Sequence, residues 1–94
     1  MVKRVILSKK AEIDLERIID FNNNRNKSDT YSKKLFSLLI KRLNLLTKQP
    51  LSGLETVTEN VLLLVWDDYY IFYTIEDTTL IVSSIYHQKE NISR

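Results

Sequence analysis

Residues Val61–His87, with the sequence VLLLVWDDYYIFYTIEDTTLIVSSIYH, decide the fold of this chain. β-Branched and aromatic side chains, which suit a pleated strand, fill most of this stretch. Aspartates at Asp67-Asp68 and Asp77 favour turns, because Asp tolerates the left-handed backbone region. The pattern predicts three strands and therefore an antiparallel meander. The predicted strands are Val61–Asp67, Tyr69–Glu76 and Leu80–His87.

Both faces of this meander are apolar. Because side chains alternate along a strand, Leu62, Leu64 and Trp66 share one face. Tyr70 and Phe72 point away from Tyr69, Ile71 and Tyr73. An antiparallel sheet covered on one side only should alternate apolar and polar residues. We therefore expect either helices on both faces or a second face that contacts another chain.

The remainder of the chain predicts one strand, two helices and a short edge strand. The segments are strand Val2–Leu7, helix Lys9–Phe21, helix Thr30–Lys48 and strand Leu54–Thr58. Ser8 can cap the first helix and Ser28 or Asp29 the second, and the Asn22–Asn26 run should end the first. The second helix should bury a broad arc of apolar residues together with Arg42. The arc comprises Tyr31, Leu35, Leu38, Leu39, Arg42, Leu45 and Leu46, and Phe36, Ile40 and Leu43 extend it. Pro50 and Gly53 should end it.

This order predicts an α+β fold, β-α-α-β-β-β(-β), with a helical hairpin packed on one face of a small, mostly antiparallel sheet. Residues 1–94 should form a single domain. Residues 88–94 form a polar tail, either one helical turn or disordered. With only two helices as a hairpin, the second face of the sheet is left exposed and apolar, which marks an interaction site.

Composition narrows the class of protein. The chain has no cysteine, which agrees with a reducing cytosol, so we expect a cytoplasmic protein. It has 14 basic and 12 acidic residues, a weaker bias than dedicated nucleic-acid binders show. The charged start and the lack of about 18 consecutive apolar residues predict neither export nor a membrane span.

His87, the only histidine, is the natural general acid or base near neutral pH. It lies beside Tyr86 and Lys89, and these three residues are the catalytic candidates. The alternative is a polar residue that closes an edge strand. The acidic residues at the two turns lie roughly 25 Å apart at the usual strand rise, so they predict no shared metal. No cofactor is expected.

Trp66 is a candidate anchor for a protein partner, since tryptophan is enriched at interface hot spots. Because Leu62 and Leu64 share its face, all three should be buried by the same partner. The alternative is that Trp66 packs under the second helix. The complete set of predicted partner-binding residues is Trp66, Leu62, Leu64, Tyr70 and Phe72.

Three stretches resemble the RelE/ParE superfamily, the toxins of bacterial type II toxin–antitoxin modules, also called plasmid-stabilisation proteins. They are LSKKAEIDLERIIDF (Leu7–Phe21), LTKQPLSG (Leu46–Gly53) and DDYYIFYTIEDTTLIVSSIYHQKEN (Asp67–Asn91). Together they span nearly the whole chain in the family's order. The resemblance implies a growth-inhibiting toxin neutralised by a cognate antitoxin, which would cover the second apolar face. A homodimer through that face is the alternative.

Two activities occur in this superfamily. RelE-like members cut mRNA in the ribosome with basic residues on the sheet, whereas ParE-like members poison DNA gyrase, which the helical hairpin is thought to meet. Here Val61–Tyr86 contains no Lys or Arg, Leu62 or Leu63 replaces an arginine of many relatives, and Lys89 replaces another. We therefore predict a ParE-like toxin that binds its target. The alternatives are an mRNA endonuclease using His87, Lys89 and Tyr86, and a degenerate, non-toxic antitoxin-binding or dimerising module.

Overall fold

The computed structural model describes residues 2–26 and 30–89. Its elements follow the predicted order and confirm an α+β fold with two helices on a five-stranded mixed sheet. They are β1 (Arg4–Leu7), α1 (Lys9–Asn26), α2 (Thr30–Leu46), β2 (Leu54–Glu55), β3 (Leu62–Trp66), β4 (Tyr69–Glu76) and β5 (Thr79–His87).

The sheet has the strand order β1-β5-β4-β3-β2. β1 runs parallel to β5, and the other neighbours are antiparallel. The register of the ladder shifts between Phe72 and Tyr73, where Ser83 of β5 is the extra residue. This bulge keeps the apolar residues of β5 inward, because Val82 and Ile85 differ by an odd number of positions and would otherwise face opposite sides.

Both helices pack against the same face of the sheet. Their buried side chains and those of the sheet form one apolar cluster. The helices contribute Ala11, Leu15, Ile18, Leu35, Leu39, Leu43 and Leu46, and the sheet contributes Leu64, Tyr69, Ile71, Tyr73, Leu80, Val82 and Ile85. The prediction that the hairpin covers one face is therefore confirmed.

Tyr73 ties the segment after α2 to this core. Its hydroxyl donates to the Pro50 carbonyl oxygen at 2.7 Å and accepts from the Gly53 N–H at 3.1 Å. Burial raises the pKa of Tyr73, although the hydrogen bond from Gly53 and the charge of Arg42 oppose the shift. A Cβ atom at residue 53 would lie 2.5 Å from the Tyr73 hydroxyl oxygen, so this approach requires glycine.

The tight turns use the predicted acidic residues. Asp67 and Asp77 both have a φ of 53°, and Asn60 has 67°. These values lie in the left-handed region, which Asp and Asn enter at lower cost than other side chains because they can hydrogen-bond locally. Among the described residues, no helix is long and apolar enough to cross a membrane.

Several predicted boundaries were wrong. α1 continues to Asn26 instead of ending at Phe21, so the weak helix propensity of asparagine does not by itself end the helix. β2 ends at Glu55, because the Thr56 hydroxyl accepts from the Thr58 N–H at 3.2 Å and contacts the Val61 carbonyl oxygen at 2.9 Å in a local turn. The predicted cap at Ser28 or Asp29 and positions 90–94 of the tail lie outside the described residues.

The buried arc of α2 is narrower than predicted. Leu35, Leu39, Leu43 and Leu46 are buried. The exposed members of the predicted arc are Phe36 at 42%, Leu38 at 44%, Ile40 at 38% and Leu45 at 58%. The helix contacts the core through a single stripe, because positions three and four residues apart already fill the space above the sheet. The side chain of Tyr31, also placed in this arc, lies outside the described part of the chain.

Candidate functional site

The sheet face turned away from the helices, here called the open face, is apolar. Strand register places on it Ile6, Leu54, Leu63, Val65, Tyr70, Phe72, Ile81 and Tyr86. Ile6, Val65 and Leu54 are 43%, 46% and 60% exposed, and the others are half-buried by their neighbours. Neither α1 nor α2 covers this face. An apolar surface of this kind is typical of a protein-binding site.

The predicted partner-binding residues divide between the two faces. Leu62, Leu64 and Trp66 do share one face, but it is the face under the helices. Trp66 stacks on Tyr69 with ring centroids 6.0 Å apart and lines a small cavity with residues of both helices. The alternative interpretation, that Trp66 packs under the second helix, therefore describes its position.

Only Tyr70 and Phe72 of that set lie on the open face. In β3 their cross-strand partners are Val65 and Leu63. Leu64 is 5% exposed, so it is unavailable to a partner in the folded chain. The five residues therefore do not form a single surface.

A charged cluster lies where β5 meets α1. The Lys10 Nζ atom donates to the Asp14 Oδ2 at 2.9 Å and to the Tyr86 hydroxyl oxygen at 2.8 Å. The Arg17 guanidinium is 3.4 Å from Asp14 Oδ1. Lys10 Nζ also lies 4.5 Å from the centroid of the Tyr86 ring, within the range of a cation–π contact. The cluster joins α1 to the border of the open face.

Beyond the end of β1, side chains of α1 supply the hydrogen bonds that a neighbouring strand would otherwise make to β5. The last β1 residue to pair with β5 is Leu7, opposite Val82. Further along β5, the Ile85 N–H donates to Asp14 Oδ2 at 3.0 Å, and Arg17 donates to the Ile85 carbonyl oxygen at 3.3 Å. Both backbone groups of Ile85 are thus satisfied from α1, which fixes the position of Tyr86.

Sequence reasoning missed this cluster, although a signal was present. Ala11, Asp14, Leu15 and Ile18 follow the spacing of one helix face. An aspartate within an otherwise apolar stripe predicts a buried carboxylate that needs a partner. Asp14 is indeed only 3% exposed.

The cluster keeps Lys10 charged. Partial burial lowers the pKa of Lys10, but the hydrogen bonds to Tyr86 and Asp14 and the charge of Asp14 together raise it above its usual value. Lys10 is therefore an ammonium ion at neutral pH and can interact with an anion.

The three catalytic candidates do not converge. Tyr86 and His87 are neighbours on a strand and so point to opposite faces. The Tyr86 ring packs edge-on against Phe72 at 6.1 Å, whereas His87 packs edge-on against Tyr69 at 5.2 Å. His87 Nδ1 accepts from the Lys89 N–H at 3.1 Å, and Lys89 is exposed in the turn after β5.

The positive charge around the open face comes from outside the meander. Arg4 lies on this face in β1, where its Nε donates to the Thr79 hydroxyl at 3.3 Å. Lys10 and Arg17 reach its border from α1. Residues 2–26 and 30–89 contain no group of three His, Asp or Glu side chains that could hold a metal ion.

A helical hairpin on one face of a small mixed sheet, with an open apolar reverse, is the architecture expected for the type II toxin–antitoxin toxins that the sequence resembles. The family model described as "ParE toxin of type II toxin-antitoxin system, parDE" matches residues 5–92. The chain therefore belongs to the ParE toxin family.

Solved structures share this fold. The chain superposes on "Chromosomal ParDE TA system from P. aeruginosa" with a TM-score of 0.75 and 14% sequence identity, covering 93% of this chain and 96% of that one. At this identity the likeness concerns the fold alone. No curated protein matches the chain in sequence.

Proposed function

We propose that this ParE-family toxin acts by binding DNA gyrase in the bacterial cytoplasm, and that a cognate antitoxin neutralises it by covering the open face. The observation that carries the proposal is the separation of Tyr86 from His87 on opposite faces, together with a meander from Val61 to Tyr86 that contains no Lys or Arg. Cleavage of a phosphodiester needs preorganised positive charge and proton transfer at one point. A binding mechanism needs neither.

The exposed surface of α2 supports a role in binding a target. Phe36 and Ile40, one helical turn apart, are 42% and 38% exposed. Lys33, Lys34 and Lys41 are exposed on the same helix. Apolar side chains surrounded by cations suit a protein surface with complementary charge. We propose this surface as the contact with gyrase.

The open face supports an antitoxin partner. Tyr70 and Phe72 lie at its centre, and the surrounding exposed apolar residues would be removed from water by a bound segment. Trp66 packs on the helix side of β3 and is therefore not proposed as part of this surface. A second copy of the chain on this face is the competing occupant.

A second function retains one supporting observation. Tyr86, Lys10 and Arg17 place a hydroxyl and two cations together on the border of the open face. A RelE-like mRNA endonuclease would therefore have to use these residues in place of His87 and Lys89. Asp14, paired with both cations, reduces the charge available to a phosphate.

Controlled expression in a bacterial host separates these functions. We expect filamentation with induction of the DNA-damage response, and purified protein should inhibit DNA supercoiling by gyrase. The double variant Phe36→Ala/Ile40→Ala should lose this inhibition, while Ile13→Ala, which alters a 53% exposed residue of α1, should retain it. Rapid translation arrest with cleaved mRNA would establish the endonuclease instead, and unimpaired growth would establish the degenerate module.

A further inference from the structure

The charged cluster at the border of the open face presents its cations outward and its anion inward. The side chains of Lys10 and Arg17 are 55% and 46% exposed, whereas that of Asp14 is 5% exposed. A molecule that approaches this border therefore meets an ammonium and a guanidinium group. The buried Asp14 carboxylate balances one of the two positive charges, so the cluster keeps a single net positive charge, which suits one carboxylate of a partner.

Tyr86 adds a hydrogen-bond donor to these cations. Its hydroxyl oxygen accepts from Lys10 Nζ at 2.8 Å, so its own O–H hydrogen is available for a further acceptor. Within the described part of the chain, that hydrogen is donated to no acceptor. An ammonium N–H and an adjacent phenolic O–H together suit a carboxylate, which accepts several strong hydrogen bonds.

From these contacts we propose that Lys10 and Tyr86, assisted by Arg17, form a carboxylate-binding site, and that this site takes an Asp or Glu side chain of the antitoxin segment that covers the open face. The inference rests on the proposed function, because it assigns the chemistry of the antitoxin named there.

The surroundings of the site specify a second position in the partner, two residues beyond the acidic one. The rings of Tyr86 and Phe72 lie 6.1 Å apart, and Tyr70 is opposite Tyr86 in the ladder. Side chains two positions apart on an extended segment are separated by about 6.6 Å. A segment with the pattern acidic–any–apolar would thus place a carboxylate at Lys10 and an apolar side chain on Phe72.

The apolar residues around the Lys10–Tyr86 site disfavour a nucleic-acid ligand. A strand of RNA carries a phosphate at every nucleotide and binds along grooves with many cations. On this face, Leu63, Val65 and Phe72 continue away from the cluster, and their strands carry no Lys or Arg. An amphipathic protein segment matches one charged border beside an apolar surface.

The test measures binding of the purified toxin to the antitoxin encoded beside it, by titration calorimetry. We expect Tyr86→Phe, which keeps the ring but removes the hydroxyl, to weaken binding about tenfold, since a hydrogen bond to a charged group is lost. Lys10→Met should weaken it at least as much and reduce the salt dependence. Lys48→Met, in the exposed turn after α2, is the matched control and should leave affinity unchanged.

A double-mutant cycle identifies the partner residue. Each Asp or Glu of the antitoxin's toxin-binding segment is replaced by Asn or Gln. At one position the loss of binding free energy should not add to that of Tyr86→Phe.

Tight binding that neither Tyr86→Phe nor Lys10→Met weakens would overturn the inference and leave the proposed function standing. No antitoxin binding would overturn both. Tight binding of a single-stranded RNA oligonucleotide, lost in Tyr86→Phe, would overturn the inference in favour of a phosphate site. Circular dichroism of each variant confirms folding.

Discussion

Replacing Asp14 should destabilise the protein more than any other single carboxylate change in α1. In Asp14→Ala the Ile85 N–H loses its acceptor, and two cations lose their partner. A hydrogen bond to a charged group contributes about 1.5–3 kcal/mol. The two ion pairs add little, roughly 0–1 kcal/mol, because Lys10 and Arg17 remain half-exposed and are solvated when released. We expect a loss of about 2–3 kcal/mol in the free energy of unfolding.

Thermal denaturation measures this loss. For a domain of this size it corresponds to a fall in Tm of about 10–20 °C. Asp14→Asn, which keeps an acceptor oxygen, should lose less than half as much. Glu16→Gln, on the exposed side of the same helix, is the control and should stay within about 0.5 kcal/mol of the parent.

Hydrogen exchange adds a local measurement at the same site. The Ile85 amide should exchange faster in Asp14→Ala, whereas the amides of β3 should keep their order of protection. The reasoning fails if Asp14→Ala is as stable as Glu16→Gln, or if Ile85 keeps its full protection from exchange.

Three further predictions concern Tyr73, Gly53 and His87. Tyr73→Phe should lower the free energy of unfolding, measured by urea denaturation, by about 1–3 kcal/mol, because it leaves the Pro50 carbonyl and the Gly53 N–H without their partner. Tyr70→Phe on the open face is the control. Gly53→Ala should lower the free energy of unfolding by about 1–3 kcal/mol, because the new methyl group overpacks against the Tyr73 hydroxyl. The double variant Gly53→Ala/Tyr73→Phe should lose less than the sum of the two single losses, since Tyr73→Phe removes the 2.5 Å contact. Additive losses would contradict this. His87→Ala should inhibit growth as strongly as the parent at equal expression, and loss of toxicity in a folded variant would return His87 to the mechanism.

Most of the fold was predictable from local patterns. Strand β4 was predicted with its observed limits, and β3 and β5 were within one residue, because β-branched and aromatic runs bounded by aspartate turns leave little choice of register. The parallel pairing of β1 with β5 was not predicted. It joins residues 75 positions apart, Arg4 with Thr79, and no local pattern encodes such a contact.

The candidate site was less predictable than the fold. The alternation of side chains along β3 correctly placed Leu62, Leu64 and Trp66 on one face of the sheet. It did not indicate which face the helices would cover. The cluster around Asp14 depends on how α1 lies against β5, which is a property of tertiary packing. Only the charge within the apolar stripe of α1 indicated that Asp14 would be buried.

The central position of β5 governs when a newly made chain can mature. β5 lies between β1 and β4 and also supplies Ile85 to α1, yet it is translated after all three of them. Until residues 79–87 leave the ribosome, β1 has no strand to pair with and Asp14 has no Ile85 amide to bind. The apolar stripes of the helices also lack the β5 side chains against which they pack. Closing contacts across so much of the chain is slow compared with forming a local hairpin. The core and both faces of the sheet are therefore completed only after residues 79–87 have emerged from the ribosome.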